Sequence, residues 1–322
     1  MYGQLGNIKS LIKILIYWCC SNVRNHKDNI NVRLQRFDHD QIMSSITTLS
    51  NEMSAIEVAW GSGPQSTLPL ADTEVAFVRR LSDESLRHRA VRHPYLRALS
   101  NGSHPDARWA LADFARHYRG YSAHFPRFLT AVVSRLENPA HRKALLENLV
   151  EESGTYEEEE LLALEAVGVK REWVDGIAHP LLFQRFADAM DVSSQVATEA
   201  DQVVCWREMF LQLLSGGSPE EALGALGLGT ENIVRTIYEP FVEAIGRIGD
   251  LAPRDTVFFP LHTAVDDHHQ ATLQAISADF ARSGEGRAGL RRGMLKALQL
   301  RTAFWDWLHE RAMNPARADE VV

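Results

Sequence analysis

The sequence predicts an all-α fold, and three observations predict it. Apolar residues recur at helical spacing over most of the chain beyond Leu70. Alternating runs of β-branched residues, the mark of strands, are nearly absent. Turn and capping residues punctuate the helical stretches at short intervals, which joins helix to helix with short connections. A domain of about ten helices follows, with no internal repeat.

Each element has its own signals. Asp72-Thr73 opens a helix that runs through Phe77 and Leu81. Asn101-Gly102 marks a turn, and a long helix begins near Pro105, since proline suits a first helical turn. This helix carries Trp109, Phe114, Tyr118, Tyr121 and Phe125 as far as Pro126, which should kink or break it. Asn138-Pro139 starts the next helix, which ends at Glu152-Ser153-Gly154. Thr155 and Glu158 have capping-box spacing for a short helix that stops at Gly168. In HPLLFQRFADAM, Leu182, Phe183, Phe186 and Met190 share one side. A helix through Trp206 and Leu213 ends at Gly216-Gly217, and Ser218-Pro219-Glu220-Glu221 starts another. Further helices are expected from Thr230 to Ile248, from Asp255 to residue 283, and from Arg291 to Met313.

Composition narrows the classes. A chain of 322 residues can bury a large core, and 45% hydrophobic with 24% charged residues is that of a soluble globular protein. A formal net charge of −8 argues against a nucleic-acid partner, which needs a basic surface. Three cysteines, Cys19, Cys20 and Cys205, make no disulfide framework and no cysteine-rich zinc site; they fit a reducing cytoplasm.

Residues 1–70 differ from the rest. IKSLIKILIYWCC contains an apolar run of about ten residues, half of the roughly twenty a bilayer span takes. No membrane partner is expected. Lys9 and Lys13 could flank a signal peptide, but bulky residues follow where a small-residue cleavage site belongs. The preferred reading is a poorly ordered leader from an upstream start codon, with Met43 or Met53 as initiator. Gly61-Ser62-Gly63-Pro64 reads as a linker, and the folded domain is expected over residues 71–322.

The chemistry lies near the C-terminus. FFPLHTAVDDHHQATL places His262, Asp266 and His269 at i, i+4 and i+7, one stripe of a helix. Two imidazoles and a carboxylate among apolar neighbours suit a transition metal such as iron. A polar helix face carrying coincidental histidines is the plainer alternative. Asp267 and His268 fall off the stripe. Further ligands would have to sit in apolar contexts on other helices. Glu152 or its neighbour Glu151 in NLVEESG, His179 ahead of Pro180, and Glu231 in LGLGTENIV have such contexts. Glu231, with Thr230 as N-cap, could equally be a first-turn carboxylate facing the helix dipole. Glu157 to Glu160 read as a solvated helix start.

Several segments, in this order, resemble the heme-oxygenase-like di-iron oxidases, relatives of the TenA and PqqC folds. HPYLRALSNGSHPDARWALADFARHY is similar to the family's opening helix pair. NLVEESG followed by HPLLFQRF resembles its Glu–His pair. LGTENIVRTIYEPF resembles the helix bringing a third carboxylate, and FFPLHTAVDDHH its His-x3-Asp-x2-His helix. RRGMLKALQLRTAFWDWL is similar to its closing helix. The resemblance covers roughly residues 74–313, and its specific part is the His-x3-Asp-x2-His segment. It implies a heme-oxygenase-like (TenA/PqqC-like) helical bundle. It implies Glu152, His179, Glu231, His262, Asp266 and His269 as ligands of two iron ions. The chain departs from the family between Glu152 and His179, where Tyr156–Val174 reads as a helical insertion (near 155–175) that could cover the site mouth. That departure keeps Glu151 open as an alternative to Glu152. No residue matches a proximal haem ligand.

The resemblance further implies an iron oxygenase or oxidase with O2 as co-substrate, in specialised metabolism. N-oxygenation of a small amine-bearing or amino-acid-like metabolite is favoured. Desaturation or C–C cleavage of an aliphatic acid is the alternative, and a metal-free TenA/PqqC-like binding protein the second. No catalytic residue is expected beyond the metal ligands. Tyr118, Tyr121, Phe125, Phe183, Trp206 and Phe259 are the expected pocket walls. Tyr118, Tyr121, Trp206 and Arg235 are the expected substrate contacts, offering aromatic faces to a cation and a guanidinium to a carboxylate. An external electron donor and a homodimer are both compatible with this reading.

Overall fold

Helix starts in this chain are set by side chains that accept the free N–H groups of a first turn. Thr73 Oγ1 accepts from Ala76 N at 3.2 Å and opens α1 (Glu74–Arg87). His93 Nδ1 accepts from Tyr95 N and opens α2 (Pro94–Asn101). Asp106 accepts from Trp109 N at 2.8 Å and opens α3 (Ala107–Ser122). The chain then runs through α4 (Phe125–Val133), α5 (Pro139–Glu152), α6 (Glu158–Ala166), α7 (His179–Ala189), α8 (Asp201–Gly216) and α9 (Pro219–Leu223). After these come α10 (Val234–Ile248), α11 (Phe258–Ala264), α12 (Asp267–Phe280), α13 (Gly284–Met313) and α14 (Pro315–Ala318). One π-helical turn (Gly224–Leu228) and two 3-10 turns (Arg171–Trp173, Glu231–Ile233) complete the order. The structure, a computed structural model, describes residues 72–192, 199–264 and 267–318, without the side chains of 264, 267–269 and 317. No strand occurs among the described residues, and none of their helices is long and apolar enough to cross a membrane.

The 30 residues of α13 make a rod of about 45 Å, and the other helices are arranged along it. Its buried stripe includes Leu290, Met294, Ala297, Leu298, Phe304, Trp305 and Leu308. Helices α1, α2, α3, α8 and α9 and the π turn pack on this rod. The π turn lies so close that a Cβ on Gly224 would stand 2.0 Å from the Leu290 carbonyl oxygen, so only glycine fits there. Helix α10 packs on α2, α3 and α11, and α12 packs on α1 and α5. Between them lies an aromatic core. Phe114 meets Phe241 at 4.2 Å between ring centres, and Phe241 stacks on Phe259 at 5.4 Å. Each such ring, fully buried, contributes roughly 1.5–3 kcal/mol.

Several boundaries differ from those expected. The long helix begins at Ala107 with Asp106 as its cap, not at Pro105, and ends at Ser122; Pro126 sits in the first turn of a separate helix, where its missing N–H costs nothing. Thr155 does not cap α6. Its N–H is tied back to the Val150 carbonyl at the end of α5, and Glu160 Oε2 accepts instead from Glu157 N at 2.8 Å. Thr230 is no side-chain cap either, because its hydroxyl donates back to Ala225 O in the π turn. The segment expected from Asp255 turns first and becomes helical at Phe258. The closing helix starts earlier than Arg291, at Gly284, where Ser283 Oγ accepts from Gly286 N at 2.9 Å.

Candidate metal centre

Three helices deliver one cluster of donors. Glu152 is the last residue of α5, His179 the first of α7, and His262 lies in α11. One ligand atom from each lies within 4.8 Å of the others. Two donors about 2.1 Å from a common ion and at right angles stand about 3.0 Å apart, and opposite donors about 4.2 Å. The cluster is on that scale.

Local backbone makes the approach. Gly154 has φ +89°, and a Cβ there would lie 2.5 Å from the backbone of Ile177. Its carbonyl accepts from Gly176 N at 2.8 Å. A residue without Cβ therefore lets the end of α5 lie against the start of α7, two residues after Glu152 and two before His179. Glu152 Oε1 stands 3.1 Å from His179 Nδ1, with both side chains buried. Glu151 is buried as well, but Glu152 is the one that joins the cluster.

The histidines are oriented for lone-pair donation. His262 Nδ1 is 2.7 Å from the Phe258 carbonyl, so it carries the proton and leaves Nε2 as a lone pair. Burial and the neighbouring His179 ring hold the His262 imidazole down at about 4, so it is neutral at physiological pH. His179 Nε2 lies 2.9 Å from the Tyr156 hydroxyl. Burial and the Glu151 carboxylate push that hydroxyl well above its ordinary value, which keeps it a neutral phenol. His179 Nδ1, although close to Glu152, is not aligned as a hydrogen-bond donor and has no hydrogen-bond partner among the described residues. A buried nitrogen in that state is what a metal ligand looks like before the ion is added. Two imidazoles and a carboxylate are also the donor set of non-haem iron sites with open positions, so the residues fit iron.

The cluster faces a solvent-open cleft whose empty space, about 440 Å³, includes open solvent. Tyr118, Tyr121, Phe125 and Glu231 line it, as does Arg301. Tyr118 and Tyr238 share a 2.8 Å hydrogen bond between hydroxyls. Trp206 backs the wall, stacked on Tyr121 at 3.9 Å. Phe183 and Phe259 belong to the aromatic core instead. Arg235 is a correction. Its side chain is 57% exposed, runs beside Glu239 one helical turn on, and is not among the pocket residues. The guanidinium that lines the pocket is that of Arg301. Asp266 falls outside the described residues, and His269 lies in α12 with its side chain outside them.

Two pocket groups and one neighbour of His179 escaped the sequence reading. Arg301 is a charge on an apolar stripe, between Ala297–Leu298 and Phe304–Trp305, and that misplacement was its signal. Tyr238 shares the buried face of α10 with Val234, Ile237 and Phe241 and looked like core. Tyr156 reaches His179 from the start of the segment expected to cover the site mouth, a contact to the ring that the sequence did not single out.

A family model described as iron-containing redox enzyme matches residues 112–302, more than half of the chain. Comparison with curated protein sequences returns no match. Among solved structures, the chain is similar to a CADD-like protein of unknown function from Nostoc punctiforme, at 15% identity and a TM-score of 0.59, over 75% of this chain and 99% of that one. It is similar to a domain of unknown function with a heme oxygenase-like fold from Shewanella denitrificans, at 16% identity and a TM-score of 0.54, over 75% and 92%. A TenA homolog from Pseudomonas syringae pv. tomato matches at 13% identity and a TM-score of 0.54, over 76% and 98%. At these identities the likeness is one of fold, and the fold is heme-oxygenase-like and all-α.

Proposed function

The chain belongs to the family of iron-containing redox enzymes, and on that premise we propose an O2-activating di-iron enzyme acting on a small amine-bearing or amino-acid-like metabolite. The observation that carries this reading is the Glu152–His179–His262 cluster facing the pocket, with His179 Nδ1 lacking a hydrogen-bond partner among the described residues. Glu231 lines the same pocket from a separate segment and, with Asp266 and His269, completes the proposed set for a second ion. Iron held there would supply electrons to O2 and oxidising power toward the substrate.

The chain's own residues do the rest. Glu152 contributes negative charge that offsets part of the metal's. Phe258 O fixes the tautomer of His262, and Tyr156 Oη holds the ring of His179 in place. Tyr118, Tyr121 and Tyr238 line the pocket, and aromatic rings there favour an ammonium or amine. That preference places oxidation of nitrogen ahead of aliphatic desaturation or C–C cleavage.

Oxygen uptake by Fe(II)-loaded protein tests the substrate class. Amino acids, offered separately from simple amines and from fatty acids, should accelerate uptake most and yield N-oxygenated products. Acceleration by fatty acids alone, with alkene or hydroxylated product, would sink the amine reading. Absence of uptake together with absence of bound iron would leave a TenA-like binding protein.

A further inference from the structure

Helix α13 buries three arginines, and they are not alike. Arg311 is paired with Asp113 through two hydrogen bonds of 2.9 and 2.8 Å. Arg287 donates to the carbonyls of Ala281 and Asp72 at 2.8 and 2.7 Å. Both are tied into the scaffold. Arg301 is 2% exposed, yet its Nη1 has no hydrogen-bond partner among the described residues. Its Nη2 reaches the Tyr121 hydroxyl at a marginal 3.5 Å, and the Tyr118 hydroxyl is a second polar neighbour of the guanidinium. The guanidinium carbon lies 5.4 Å from the ring centre of Tyr121 and 5.3 Å from that of Trp206, beside the stack those two rings form.

An arginine is always charged, and a buried charge is costly unless a hydrogen-bonding counter-charge meets it. The neighbouring rings and tyrosine hydroxyls offset part of that cost but supply no counter-charge and leave Nη1 without an acceptor among the described residues. This guanidinium also lines the pocket onto which the metal cluster opens. Proton counting adds a second donor. Of the two hydroxyl protons of Tyr118 and Tyr238, one is used in their mutual hydrogen bond, which leaves the accepting partner's own proton to donate elsewhere. Tyr238 in turn sits edge-on to His262, with ring centres 5.5 Å apart. The tyrosine pair thus connects the guanidinium's end of the pocket to the metal cluster.

We propose that Arg301, flanked by the tyrosine hydroxyls, is the anchor for a carboxylate of the substrate, so that the pocket selects small carboxylic acids and amino acids over neutral or purely cationic molecules. A planar carboxylate accepts two parallel N–H bonds from a guanidinium, which a neutral amide cannot match in charge. Held there, the substrate turns the remainder of its length along Tyr118 and Tyr238 toward His262. The inference rests on the proposed function only in taking this pocket as the substrate's; the anchor itself needs no metal.

The test is calorimetric titration of chelator-treated, metal-free protein with acetate, hexanoate, benzoate and 3-phenylpropanoate, each beside its primary amide and the matching amine. At least one carboxylate should bind about tenfold or more tighter than its amide. Arg301→Gln should bring that ratio to about one, Arg301→Lys should retain part of it, and Arg235→Gln should leave it unchanged. Absence of carboxylate preference in the wild-type protein overturns the inference whatever the variants do, as does its survival in Arg301→Gln. If Arg301→Gln does not fold, an undiminished preference in Arg301→Lys overturns it equally. Because no metal is present, protein that prefers carboxylates but takes up no iron contradicts the proposed function alone, and protein that binds iron without the preference contradicts this inference alone.

Discussion

His179 is held by two neighbours with different consequences. Glu152 shares the proposed metal, whereas Tyr156 touches only the far nitrogen of the ring. Removing each should separate the roles. Glu152→Ala or His262→Ala should lower Fe(II) affinity at least about 100-fold, and Tyr156→Phe, which removes only the orienting hydroxyl, about tenfold. Equilibrium dialysis under argon reads both; equal losses, or none from His262→Ala, would show that the cluster is packing. The His262 imidazole also predicts a pH dependence. Its folded-state value is about 4 against an ordinary 6.5. Between those values the unfolded chain takes up a proton that the folded chain refuses, so stability falls as pH drops through that window. His93, His104 and His309, lowered chiefly by burial, act in the same direction. The melting temperature of metal-free protein should therefore decline from pH 7 to pH 4.5, less steeply in His262→Gln. A flat wild-type profile would contradict the burial described.

At the scale of elements, the junction between α5 and α7 decides whether a centre exists. Gly154 combines a left-handed φ of +89° with a backbone contact that any Cβ would violate. Gly154→Ala should cost roughly 2–3 kcal/mol, from strained φ and forced separation of the two chain segments. It should also weaken iron binding although residue 154 carries no donor. Normal stability and normal iron affinity in this variant would show that the approach of α5 to α7 does not depend on glycine. This junction also marks the limit of what the sequence displays. Helix starts were legible at Thr73 and Ser218, whose side chains accept N–H groups three residues on, but Asp106 and Ser283 cap in the same way at starts expected elsewhere. They were misread where the chain had other uses for the same residue. Thr155 is held by the end of α5, and the Thr230 hydroxyl by the π turn. Local propensity cannot report such competition, because the competing partner is set by tertiary packing.

The described residues form a set of helices around one aromatic core, with the donors at helix ends and the Arg301 guanidinium on the central rod. Fold class was visible in periodicity alone. The ligand candidates were visible as polar residues in apolar settings, and His179, Glu152 and His262 do meet. Arg235 was the wrong arginine because periodicity around a single residue does not tell which face of α10 is buried, whereas the apolar stripe on α13 does mark Arg301 as facing inward. The central claim is that these helices assemble an iron centre. It is tested most directly by anaerobic Fe(II) titration of the purified chain with iron quantified after desalting. The account predicts close to two Fe(II) per chain in the wild-type protein, and a large loss when His262 or Glu152 is replaced in protein that remains folded. Folded wild-type protein that retains no iron, or that binds it equally well without those side chains, would contradict it.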